Sequence, residues 1–227
     1  CKFVACADYF QDRVDEFGTK YNVEPSRRFT TLSGYKKLLE GKLDAVVIES
    51  PPYCHPEQAA AAVDAGRHVF LAKPVAVDVP GCQTIEESGK KASANKQVFL
   101  VDFQTRTNDA YKEAVKKVHE GAIGDIFCGE TYYHFPHDPA RAHASPEDRI
   151  RYWYSLIELS GDFIVEQNIH ALDVMTWLMN QQPTGAVGSG GRTKRKAGDI
   201  WDHFQMLYTF EKGITVAFTG TQCVPKS

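Results

Sequence analysis

Lys73 closes the run His68-Val69-Phe70-Leu71-Ala72 and precedes Pro74. A lysine at the end of a buried strand and fixed before proline is not placed like an ordinary surface lysine. Desolvation would lower its pKa toward the range useful for proton transfer; the alternative is a side chain that turns its ammonium to solvent. Further along, Glu166, His170 and Asp173 fall at i, i+4 and i+7. That spacing puts them on one face of a predicted helix, beside the apolar Val174, Trp177 and Leu178. Such a face lines a cleft for acid/base work, or else holds a buried structural histidine fixed by Asp173.

Three other groups carry weaker signals. Asp8 ends the first strand-like run, where an acid either accepts hydrogen bonds from ribose hydroxyls and disfavours a 2′-phosphate, or caps a helix. Ser50-Pro51-Pro52-Tyr53-Cys54-His55 follows the next strand as a rigid, extended turn that can lie along a dinucleotide. On that reading Ser50, Pro51, His55 and Ala72 join Asp8 and Lys73 as cofactor contacts. His134, His137, Asp138 and His143 form a cluster that could bind zinc on a suitable turn. Pro136 and Pro139 break any helix there, so these residues read as a rim, and no metal is assigned.

The elements that must hold these residues follow from periodicity. Strand-like runs at residues 3–7, 45–48, 68–71 and 98–101 alternate with helical stretches at 12–21, 34–39, 56–65 and 82–94, the pattern of βαβ units in one open parallel sheet. Gly66 suits a helix C-cap, and Pro56 suits a first helical turn. After Asn108 the pattern changes. A helix at 111–119 precedes an aromatic and β-branched run from Gly124 to Tyr133, a helix spans 163–179, and segments 204–210 and 214–219 form a hairpin around Glu211-Lys212-Gly213. The expected class is α/β: an open parallel sheet over residues 1–107, then an α+β domain with a largely antiparallel open sheet over 108–227.

Composition narrows the classes. The 227 residues are 43% hydrophobic and 24% charged with a formal net charge of -3, as in ordinary globular chains and unlike disordered ones. The basic run Arg192-Thr193-Lys194-Arg195-Lys196 reads as a solvated loop, so no nucleic-acid partner is expected. No apolar run reaches the roughly 18 residues of a spanning helix, so no membrane partner is expected. The six cysteines are widely spaced and read as mostly buried free thiols.

The strings Pro51-Pro52-Tyr53-Cys54-His55-Pro56, Ala65 through Pro74 and Glu166 through Asp173, in this order, resemble the Gfo/Idh/MocA oxidoreductases from about Phe3 to Thr219. The resemblance implies a Rossmann domain for NAD, with NADP possible, followed by an α/β domain whose open sheet carries a sugar or polyol and often mediates homo-oligomers. It implies hydride transfer at a CH–OH carbon, with Lys73 at the nicotinamide end and the reacting hydroxyl, and with His170 exchanging the hydroxyl proton. Glu166 assists as a third catalytic group, Arg106 contacts the cofactor, and Asn168 and Trp153 are placed with the substrate. Members that hydrolyse glycosides through a transient redox cycle on bound NAD, and a non-catalytic relative, are the alternatives.

Ala72 stands where the family usually has glutamate, and Glu166 and Asn168 stand for its frequent aspartate and glycine. The family's first strand and Gly-rich phosphate loop would precede Cys1, and members continue beyond Ser227. The chain is therefore read as truncated at both ends, with any export signal lying upstream and the compartment, cytoplasmic or exported, left open.

Overall fold

Short β-branched runs become the strands of two parallel sheets in the first 102 residues of the computed structural model, which describes residues 1–136 and 145–224. In chain order these are β1 (Cys6–Ala7), α1 (Gln11–Lys20), β2 (Arg28–Phe29), α2 (Gly34–Leu39), β3 (Ala45–Ile48), α3 (His55–Asp64), β4 (His68–Ala72), α4 (Val79–Ala94) and β5 (Phe99–Asp102). The expected single four-stranded sheet is instead two. β1 pairs with β2, a two-residue strand too short to show a period, and β3-β4-β5 form the other sheet. The first strand is also shorter than the apolar run at 3–7, because Phe3 leaves the strand direction to pack on Phe17 and Tyr21.

Helix ends follow their local chemistry. Pro56 lies in the first turn of α3, Gly66 takes φ 76° just past it, and the Gly66 and Arg67 amides return to the carbonyls of Val63 and Ala62. Asp78 caps α4 by accepting the Gly81 amide at 2.7 Å. One face of the β3-β4-β5 sheet buries Ile48, Val69 and Leu71 with Val63 and Ile85 of the covering helices. On the other face the register aligns Val47, Phe70 and Leu100, with Val47 51% and Leu100 53% exposed.

The chain divides into compact units Cys1–Asp102 and Phe103–Ser227, ahead of the boundary expected near residue 107. Arg106 belongs to the second because it is bonded there. That unit contains α5 (Asp109–His119), β6 (Cys128–His134), three short helices α6 (Pro146–Arg151), α7 (Ile157–Ser160) and α8 (Asp162–Glu166), then α9 (Ile169–Met179), β7 (Gly185–Gly191), β8 (His203–Thr209) and β9 (Thr215–Thr221). The sheet order is β6-β9-β8-β7, with β6 parallel to β9 and the other two pairings antiparallel. Lys212 and Gly213, both at positive φ, turn the β8–β9 hairpin. The inner face buries Phe204, Val216 and Phe218 against Phe163, Ala171 and Met175.

The helix expected over 163–179 is broken. The amides of Gln167 and Asn168 both donate to the Phe163 carbonyl, and His170 and Ala171 then donate three residues back, to Gln167 and Asn168. The chain is drawn onto β9 at this point: Asn168 is fully buried, and a Cβ on Gly220 would lie 2.2 Å from its Nδ2. Two sequence expectations fail outside the elements. No cysteine belongs to the buried class, since Cys1, Cys82, Cys128 and Cys223 are exposed and Cys6 and Cys54 half-buried. The run 192–196 is not wholly solvated, because Arg195 is 5% exposed. Among the described residues no helix is long and apolar enough to cross a membrane.

Candidate active site

Parallel strands leave their carboxyl ends on one side, and the first unit's candidate residues gather at these ends. Lys73 follows β4 directly, half-buried, and its peptide to Pro74 is cis. Ala72, the last residue of β4, is half-buried and pairs with Asp102 of β5. Glu49, just past β3, is held above the ordinary carboxylate range by partial desolvation and then by the charge of Asp102. Asp8, just past β1, accepts the Phe10 amide at 2.8 Å. Its charge, after burial and Cys54, also helps to raise the Tyr53 phenol. Ser50 turns its hydroxyl to Gln58 at 2.7 Å, and Pro51 beside it is half-buried. Glu49, Tyr53 and Asp102 escaped the sequence reading, since only their convergence at the strand ends marks them.

His55 is corrected from a cofactor contact to an internal tie. It is 1% exposed, with Nδ1 2.8 Å from the Pro74 carbonyl and Nε2 2.7 Å from the Ser50 carbonyl, so both ring nitrogens are engaged by backbone. Burial lowers its pKa, against the two carbonyls, which act to raise it. His55 thereby fastens the turn after β3 to the turn that carries Lys73.

In the second unit the break between α8 and α9 separates the residues expected on one helix face. Glu166 ends α8, while His170 and Asp173 lie on α9. His170 stacks on Tyr133 of β6 with ring centroids 6.2 Å apart. Burial raises the Tyr133 phenol, and the charge of the Glu166 carboxylate adds to that. Tyr133 pairs with Gly220 in the sheet, the residue under Asn168. Asn168 is corrected accordingly: buried in this packing, it is not at a surface that substrate reaches.

Asp173 does not hold His170. Its carboxylate takes Arg106 in a fork, from Nε at 2.9 and 3.0 Å and from Nη2 at 2.9 Å, while the guanidinium covers the Trp177 ring at 5.1 Å. Arg106 is thus the partner of Asp173, with two of its donor nitrogens committed there. Trp153 is half-buried, edge-on to Tyr154 at 6.5 Å. The Tyr154 hydroxyl receives Arg195 Nη2.

A buried polar network supports this side of the sheet. Asp202, 1% exposed, accepts the amides of Thr193, Lys194 and Arg195 and pairs with His203 Nδ1 at 2.9 Å. Burial opposes its ionisation, but these donors outweigh that and hold the carboxyl well below the usual range. Asp162 accepts the Phe163 and Trp201 amides, and burial raises its carboxyl. Tyr133 and Gln222 carried no role in the sequence reading, Gln167 stood there only inside the 166–173 string, and Arg195 only in the basic run; the aromatic run before Phe135 was the one available signal, for Tyr133. His137, Asp138 and His143 lie outside the described residues, and among the described ones no three His, Cys, Asp or Glu side chains form a metal-sized group.

Comparison with known proteins adds the following. The model of the GFO/IDH/MocA C-terminal domain matches residues 111–227, and that of the oxidoreductase family, NAD-binding Rossmann fold, matches residues 2–102. Inositol 2-dehydrogenase 3 of Saccharopolyspora erythraea is 26% identical over 188 residues, 82% of this chain and 50% of its own. The chain thus spans about half the length of the curated relatives it matches. Among solved structures, aldose-aldose oxidoreductase from Caulobacter crescentus complexed with glycerol superposes with a TM-score of 0.79 at 21% identity, over 98% of this chain and 64% of that one. The WlbA dehydrogenase from Bordetella pertussis in complex with NADH and UDP-GlcNAcA gives 0.80 at 20%, over 98% and 60%.

Proposed function

This chain belongs to the GFO/IDH/MocA oxidoreductase family, and on that premise we propose that it serves an NAD-dependent oxidoreductase that moves a hydride between the nicotinamide and a CH–OH carbon of a sugar or polyol. The observation that carries the reading is the gathering of Asp8, Ser50, Pro51, Ala72 and Lys73 at the carboxyl ends of parallel strands. The relatives named as inositol dehydrogenases, and the solved relatives that hold glycerol or NADH, support the substrate class and the cofactor.

The donor set at the strand ends fits a dinucleotide. Asp8 keeps one carboxylate oxygen on the Phe10 amide and would offer the other to ribose hydroxyls, which favours NAD over NADP. Ser50, Pro51 and Ala72 would line the path to the nicotinamide end. When bound, the nicotinamide supplies or takes the hydride. The protein's part is proton management. Lys73 would bind the reacting hydroxyl through Nζ, and His170, set against Tyr133, would exchange a hydroxyl proton, with Glu166 as a third catalytic group. The outer face of the second unit's sheet, with Tyr132 69%, Val187 66% and Leu207 41% exposed, would serve a homo-oligomer.

The test is nicotinamide-linked turnover on a polyol panel that includes myo-inositol. Lys73→Ala should lower turnover about a hundredfold or more. Unchanged turnover at saturating substrate overturns the role of Lys73.

A further inference from the structure

Gln167 lies between Glu166 and Asn168 at the α8–α9 break, and its backbone carbonyl accepts the His170 amide at 3.3 Å. Its side-chain orientation is dictated from a distance. Arg195 is 5% exposed, and a guanidinium has donors only. Its Nε donates to Gln222 Oε1 at 2.8 Å, and its Nη2 donates to the Tyr154 hydroxyl. Because a donor-only group occupies one end of the buried Gln222 amide, that end must be oxygen. The Gln222 NH2 then faces the other way and donates to Gln167 Oε1 at 2.8 Å. With its oxygen committed, the half-buried Gln167 is left with its own NH2 as a donor, and no described residue accepts from it.

We propose that Gln167 is a specificity-determining residue: its Nε2 donates a hydrogen bond to a non-reacting hydroxyl oxygen of the polyol, and Arg195 and Gln222 act as positioning residues that fix this donor polarity. The proposal rests on the reading that His170 faces the substrate. An amide can present either an acceptor or a donor, and a buried cation two side chains away selects the donor. A site that offers NH2 discriminates among polyols by where a hydroxyl oxygen stands, because a buried donor left without an acceptor is costly.

Two substitutions test the direction without emptying space. Gln167→Glu keeps an oxygen toward the Gln222 NH2 and turns the outward donor into an acceptor. Gln222→Glu replaces no residue at the site. It still accepts from Arg195 but cannot donate to Gln167, which must then flip and present Oε1 outward. Binding of myo-inositol and its monodeoxy analogues is measured by titration calorimetry on the folded chain with NADH present, and folding is followed by near-ultraviolet circular dichroism. Each variant should weaken myo-inositol by about tenfold. Neither should change binding of the one deoxy analogue that lacks the recognised hydroxyl.

If the unaltered chain binds myo-inositol, His170→Ala weakens it, and both variants bind within twofold of the unaltered chain, the proposal is overturned while the reading of the site stands. If the unaltered chain binds no polyol, or His170→Ala has no effect, the reading falls and the proposal with it. Should Gln222→Glu fail to fold, Gln167→Glu, which alters no buried contact, decides alone.

Discussion

The two units hold their candidate residues by different means. In the first, Lys73, Ser50 and Asp8 are placed by backbone, at strand ends and in turns, and the buried polar side chain involved is His55, which ties two carbonyls. In the second, the junction carrying His170 is placed by side chains far apart in sequence: Asn168 over Gly220, Gln167 on Gln222, and Gln222 on Arg195. The difference teaches that the first unit's candidate residues tolerate change wherever the strands persist, whereas those of the second depend on a few distant identities.

The tryptophans Trp153, Trp177 and Trp201 all lie in the second unit, so tryptophan fluorescence during denaturation reads that unit alone and can break the contrast. The largest effect is expected at Phe218, fully buried under α9: Phe218→Ala should cost about 3–5 kcal/mol by urea unfolding. A loss below about 1 kcal/mol would show that the inner face is not the core of this unit. Asp202→Ala should cost about 3 kcal/mol, since it takes the acceptor from three backbone amides, that of Arg195 buried.

Asp202 also gives the contrast a pH signature. Its folded pKa is depressed, so its contribution is present above the unfolded value of about 3.9 and is lost as pH falls below it. Asp162, whose carboxyl burial raises, works in the opposite direction. The signature is therefore the difference between the unaltered chain and Asp202→Ala, which should narrow below about pH 4 and stay constant above about pH 5. A difference independent of pH would refute the assignment.

Gly220→Ala sharpens the comparison at the site itself. The new Cβ would meet Asn168 Nδ2 at 2.2 Å, so the junction must shift, at a cost of about 2 kcal/mol and with movement of the His170 ring resonances. The smallest effect belongs to the first unit's open face. Leu100→Thr, at 53% exposure, should change stability by no more than about 0.5 kcal/mol, read by circular dichroism.

The same contrast explains what could be read beforehand. The βα alternation, Pro56, Gly66 and the hairpin at Lys212-Gly213 each announce themselves over a few consecutive residues, and all appear where expected. β2 is two residues long and carries no period. The α8–α9 break is invisible in composition because Gln167 and Asn168 keep right-handed helical torsions, and only the hydrogen-bond register changes. Arg195 looks like part of a surface charge run because the partners that justify its burial are 27 and 41 positions away. The fork between Arg106 and Asp173 spans 67 positions and was equally hidden.

The seat of Asp202 has a consequence for ionic strength. Dissolved ions weaken charge interactions they can approach, and at about 0.15 M they screen beyond roughly 8 Å. The pair Lys90–Glu86 on α4 is 72% and 65% exposed and stands open to them, whereas Asp202 sits at 1% inside a ring of amides. Added salt should therefore erode exposed pairs such as Lys90–Glu86 and leave the Asp202 anchor gripping as before.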